Sequence, residues 1–191
     1  MMEKRMAESR KPEPWLRGGL QEVPAVPRAV LHALELAGED LRQGCGSLSD
    51  EGLNARPFGL APVAFHLRHI ARSLDRLLTY AEGRCLDQEQ WAAKARESDP
   101  GATAVELFSE LDSALKKSAA RVGAFGANVL EQARSVGQQG LPSSVAGLLI
   151  HVADHTQRHV GQAITTAKVV QSLEPGGSSS LQSQAPGFTM I

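Results

Sequence analysis

The sequence predicts an all-α protein: an antiparallel four-helix bundle with additional short helices in the connections. Three observations lead there. Ala, Leu, Glu and Arg dominate four segments whose apolar residues recur at three- and four-residue spacing, the period of one helix face. The strict alternation of β-branched residues that marks strands is absent. Gly- and Pro-containing strings fall between the periodic segments, where connections belong.

The first helix is expected from about Pro24 to Gln43, with Val26, Val30, Leu34, Ala37 and Leu41 inward, ending before the breaker string GCGS. A capped turn at Ser49 to Leu53 follows. The second helix begins after Pro57 and Gly59 and runs to about Glu82, where Gly83 supplies the stop. Its apolar stripe is Leu60, Val63, Leu67, Ile70, Leu74, Leu77 and Leu78. A small polar helix from Asp87 to about Glu97 is closed by the turn signal Asp99-Pro100-Gly101. The third long helix spans about Thr103 to Ala120, with Val105, Leu107, Phe108, Leu111 and Leu115 inward, and one or two further turns are expected over Val129 to Arg134. After VGQQGLPS the fourth helix runs from about Ser143 to Ser172 on Val145, Leu149, Val152, Val160, Ala163, Ala167 and Val170. Residues 1–14 are polar, and 174–191, EPGGSSSLQSQAPGFTMI, is rich in Gly, Ser and Pro; both are expected to be disordered tails around a domain over 15–173.

Composition narrows the functional classes. A chain of 191 residues can bury a single core without staples. Cys45 and Cys85 are the only cysteines and form no CxxC pair, which fits two reduced thiols in a cytoplasmic protein. The N-terminal MMEKRMAESRKPEP has no apolar h-region, and no stretch approaches the roughly 20 apolar residues of a transmembrane helix. Export and membrane insertion are therefore not expected. With 20 Lys+Arg against 21 Asp+Glu, no overall field draws the chain to nucleic acid. There is no HExxH helix, no Gly-x-Ser-x-Gly elbow and no phosphate-binding Gly loop.

Five of the six histidines fall in two short stretches, FHLRHIARSLDRLL and IHVADHTQRHVGQ. His151, His155 and His159 stand four residues apart and so line one edge of the fourth helix, with Leu148 and Gln162 on the same line. Imidazole nitrogen is a preferred ligand of zinc and other divalent transition metals, so the two stretches suggest a metal site between two helices. On the second helix, periodicity favours His66 as the inward residue; His69 lies on a flank with Pro62, Phe65, Ser73 and Arg76. His32 stands alone in the first helix and reads as an ordinary boundary residue.

The strings HLRHIARSLDRLL and HVADHTQRHVGQ, in that order and separated by a third helix, resemble the DinB-like (DinB/YfiT-like) superfamily of bacterial four-helix proteins. The resemblance covers about residues 15 to 172, and the His-x-x-x-His-x-Gly-Gln ending is its most specific part. It implies a divalent metal held by His69, which precedes Ile70-Ala71, together with His155 and His159. This sets His69 above the periodicity preference for His66. His66 and His151 are extra to that triad and stand as outer partners or a fourth ligand, with Gln162 as a hydrogen-bonding neighbour.

Three neutral imidazoles leave a coordination position open, as in catalytic metal sites. Zinc or nickel is expected ahead of iron or manganese. By the resemblance, the activity would be thiol-dependent S-transfer, with the metal activating a low-molecular-weight thiol or a water for a small-molecule substrate. Metal-dependent hydrolysis and a non-enzymatic metal-binding or stress-response module are the alternatives. A homodimer is implied by the same resemblance. No catalytic acid or base can be named: Asp154 points about a quarter-turn away from its ligand neighbour.

Overall fold

The computed structural model describes residues 11–174. The expectation of disordered tails falls mainly on residues 1–10 and 175–191, which lie outside the described residues. Within them the elements follow in the order α1 (Ala25–Cys45), α2 (Asp50–Asn54), α3 (Val63–Ala81), α4 (Gln88–Ala95), α5 (Ala104–Gly123), β1 (Ala133–Val136), β2 (Leu141–Ser144) and α6 (Val145–Leu173). Three single 3-10 turns, at Pro14–Leu16, Pro57–Gly59 and Ala127–Val129, complete the connections. No helix is long and apolar enough to cross a membrane among the described residues.

The helices start where capping chemistry allows. Asp87 and Thr103 each close a capping box, accepting from the backbone N–H of Gln90 and Glu106 while those side chains accept from the cap's own N–H. Ser49 and Ser144 cap α2 and α6 by accepting from Gly52 N and Gly147 N. The second long helix begins at Val63 rather than just after Gly59, because Pro62 holds the preceding Ala61 away from helical geometry. Leu60 is consequently outside the helix and 42% exposed.

Helices α1, α3, α5 and α6 form the bundle, with α1 and α3 each packed on both α5 and α6. Contacts give the directions. Arg42 pairs with Asp112 and Gly38 faces Leu115, so α1 and α5 run antiparallel. His66 meets His159 and His69 meets His155, so α3 and α6 are antiparallel as well. By contrast, Arg72 meets Glu110 and Arg121 reaches Glu82, so α3 and α5 run parallel. Parallel neighbours require a crossover, and the connection carrying α4 supplies it.

The core is filled by Leu, Val, Ile and Ala from all four helices, with Leu41, Leu67, Ile70, Leu74, Leu78, Leu111 and Leu149 fully buried. Fully burying one such leucine contributes about 1.5–3 kcal/mol. Val105, expected inward, is 80% exposed. It lies two residues, about 200° around the helix, from Leu107, and the buried stripe of α5 is Leu107, Leu111, Ser118 and Val122.

The larger departure is a hairpin between α5 and α6. The helical turns expected over Val129 to Arg134 are instead a 3-10 turn and then β1, which pairs antiparallel with β2 from Ala133↔Ser144 to Val136↔Leu141. Gly137 and Gly140, at φ 73° and 63°, bound its four-residue turn. Backbone bonds from Val145 N to Gln132 O and from Ala146 N to Leu130 O carry the pairing into the first turn of α6. The hairpin thereby sets where α6 begins.

Candidate metal centre

The antiparallel packing of α3 on α6 brings their histidines face to face. His69 Nε2 lies 3.2 Å from His155 Nε2, and His66 Nδ1 lies 3.1 Å from His159 Nδ1. His69, His155 and His159 each offer a ligand atom within 4.8 Å of the others. All three are half-buried, at the edge of the core.

The donor set fits a divalent metal. Two nitrogens bound tetrahedrally at about 2.0–2.1 Å to one zinc ion stand about 3.3 Å apart, and the His69–His155 pair already stands at 3.2 Å. Burial, with the neighbouring histidines adding to it, lowers His66, His155 and His159 to about 4. At neutral pH these rings are uncharged, as ligands must be.

Groups packed behind the rings hold them in place. Phe65, one turn before His69, stacks on that imidazole at 5.3 Å with the planes 19° apart. Ser73 Oγ, which donates to Ile70 O, lies 3.5 Å from His155 Nδ1. His69 Nδ1 is 2.7 Å from Glu97 Oε2, and Arg76 Nη1 donates to Glu97 Oε1 at 2.6 Å. Glu97 and Arg76 are only 6% and 9% exposed. Burial pushes the Glu97 carboxyl up, but the hydrogen bonds from His69 and Arg76 outweigh it and hold the group below the usual carboxylate range.

The remaining sequence candidates take different places. His66, 5% exposed, is the inward residue of α3 that periodicity expects, and touches His159 from the core side. His151 is exposed; its ring lies 5.3 Å from that of His155 and its Nδ1 is 3.6 Å from Asp154 Oδ2. Gln162 is exposed. Asp154 is occupied by Arg158 at 2.7 Å. Sequence reasoning missed Glu97, which reaches the centre from the crossover, 28 residues from His69. Periodicity had placed Phe65, Ser73 and Arg76 on His69's flank of α3, and that flank supplies the ring contacts just described.

Comparison with known proteins bears on the fold and the family. Residues 33–163 match the family model of the DinB superfamily. No curated protein matches the chain. A solved structure, the crystal structure of a conserved protein from Enterococcus faecalis, superposes with a TM-score of 0.63 at 17% identity, covering 76% of this chain and 96% of that one. At that identity the likeness speaks for the shared fold alone.

Proposed function

This chain belongs to the DinB superfamily, and we propose that it holds one divalent metal through His69, His155 and His159 and is a thiol-dependent S-transferase, joining the sulfur of an intact low-molecular-weight thiol to an electrophilic small-molecule substrate. Zinc or nickel suits the all-imidazole set ahead of iron, and ahead of manganese, which favours oxygen ligands. The observation that carries the reading is the three-histidine cluster itself, assembled from two helices with its ligand atoms within 4.8 Å of one another.

A divalent metal held by these residues would lower the pKa of a thiol or water that it bound. The chain's own residues supply the setting. His155 and His159 come from one helix a turn apart, and His69 faces them from α3, so two of the three donors are positioned by a single rigid element. Phe65 covers one face of His69. His66 stands outside the three-residue cluster and contacts His159. That placement supports an open centre over a closed four-histidine shell, and so an enzyme over a storage module. Of the carboxylates beside the cluster among the described residues, Glu97 is engaged by His69 and Arg76 and Asp154 by Arg158, so neither stands free to serve as a base for water. This favours a thiol, which needs only its own acidity enhanced, ahead of hydrolysis. Association into a homodimer belongs to the same proposal.

Metal content by plasma mass spectrometry, on wild type beside His69→Ala and His155→Ala, tests the reading. Near-stoichiometric metal in wild type and its loss in both variants is the expected result, and thiol consumption with electrophilic acceptors would then follow the metal. A wild type that stays metal-free after reconstitution with zinc, nickel, iron and manganese overturns it.

A further inference from the structure

The histidine that α3 contributes has two ring nitrogens, and only one can face the cluster. Nε2 does so, 3.2 Å from His155 Nε2, while Nδ1 lies 2.7 Å from Glu97 Oε2. A carboxylate only accepts hydrogen bonds, so a neutral His69 beside it must carry its proton on Nδ1. That leaves the Nε2 lone pair bare and aimed at the other ligands. Arg76 occupies the other carboxylate oxygen at 2.6 Å, from a guanidinium that only donates. With one oxygen on Arg76 and one on His69, both carboxylate oxygens are engaged behind the ring.

We propose that Glu97 is the positioning residue of this centre, fixing the tautomer and direction of His69, with Arg76 anchoring Glu97 in turn. The inference rests on the metal reading above for its purpose, though not for its geometry. Buried carboxylates behind ligand histidines raise ligand basicity and orient the ring. Here the carboxylate comes from the crossover, which is itself pinned. Asn54 Nδ2 donates to Ala102 O at 2.8 Å, Gly101 N donates to Asn54 Oδ1 at 3.0 Å, and Arg68 bonds Asp99 O. The crossover therefore delivers a fixed group to the site.

Glu97→Gln gives a sharp test because an amide has a donor end and an acceptor end. Arg76 can only donate, so it takes the amide oxygen and turns the NH2 toward His69 Nδ1. His69 must then accept there and move its proton to Nε2, which blocks the lone pair facing the cluster.

The experiment is long-range 1H–15N correlation on histidine-labelled, metal-free full-length protein at pH 8, with His69 assigned by comparison with His69→Ala, followed by zinc affinity by chelator competition. Wild type is expected to show His69 protonated on Nδ1, Glu97→Gln to show the proton on Nε2, and zinc affinity in the variant to fall by about 10- to 100-fold. A proton on Nε2 in wild type overturns the inference, whether or not the variant folds. So does unchanged zinc affinity in a folded Glu97→Gln protein. If wild type binds no metal at all, the metal reading fails, and the tautomer of His69 still decides the role of Glu97.

Discussion

Replacing Arg76 with Met tests whether the ion pair behind the cluster is a dry one. The perturbation keeps an apolar stem of similar length and deletes one charge, leaving Glu97 buried with only His69 to answer it. Arg76 and Glu97 side chains are 11% and 7% exposed and meet at 2.6 Å. At an effective dielectric of about 20, unit charges about 4 Å apart attract by about 4 kcal/mol, and removing one partner of a buried pair costs about 3–5 kcal/mol. The hydrogen bond from His69 to the other oxygen remains, so the lower end, about 3 kcal/mol, is expected. For a domain of this size that lowers Tm by about 6–12 °C. Urea unfolding of chelator-treated protein, followed through Trp15 and Trp91, should show a lower midpoint with an unchanged slope. The double variant Arg76→Met, Glu97→Leu should recover most of the loss, because well-packed apolar groups replace a buried pair at little net cost. A loss below about 1 kcal/mol in Arg76→Met would mean that water screens the pair, as at an exposed site. A double variant as unstable as the single would mean that packing of the arginine stem, not charge, was lost.

Acid should destabilise the metal-free protein. His66, His155 and His159 titrate near 4 when folded against 6.5 in an open chain. The unfolded state therefore binds more protons between these values, so stability is full above about pH 6.5 and falls as pH drops toward 4. The charges of neighbouring imidazoles and of Arg158 add to burial in lowering these rings, and the lowered Glu97 carboxyl acts on stability in the same direction at the acid end. Urea midpoints at pH 7.5, 6 and 5 should decrease in that order; a constant midpoint contradicts the burial of these rings. The two thiols should separate kinetically. Burial pushes Cys45 up to about 11, whereas Cys85 is exposed, so Ellman's reagent at pH 8 should find one fast thiol in the folded chain and the second only in denaturant. Two fast thiols would place Cys45 at the surface.

The bundle was legible because a three- and four-residue apolar period sustained over a long segment has few other meanings, and because Asp87, Thr103 and Ser49 announce helix starts by chemistry that acts within three residues; the fourth helix, expected from about Ser143, is capped one residue later by Ser144. The hairpin was not. Its strands are four residues each, and Ala133 to Val136 carries too little alternation to separate it from a helix end. Of its signals only Gly137 and Gly140 are strong, and they mark a turn without naming what it joins. At the centre, periodicity reports burial, and it reported His66 correctly on those terms. Which histidine meets the opposite helix at its edge depends on how α3 and α6 register, and a single helix face does not encode that. The resemblance supplied His69, and the structure sets it against His155. Glu97 was invisible for a similar reason. Its contact with His69 spans 28 residues and two elements, and as a sequence signal it is one polar residue at the end of a polar helix.

The span between the facing helices has a topological consequence. His69 and His155 are 86 residues apart, and both cysteines of the chain are free. A metal coordinated by both would be the chain's long-range cross-link, closing a loop whose entropy cost in the open chain corresponds, by the treatment used for disulfides, to about 4–5 kcal/mol. Unlike a disulfide, that cross-link would open by ligand exchange rather than reduction. Unfolding of the loaded protein would then become a matter of metal release, and a chelator would act on it as a reductant acts on a secreted domain.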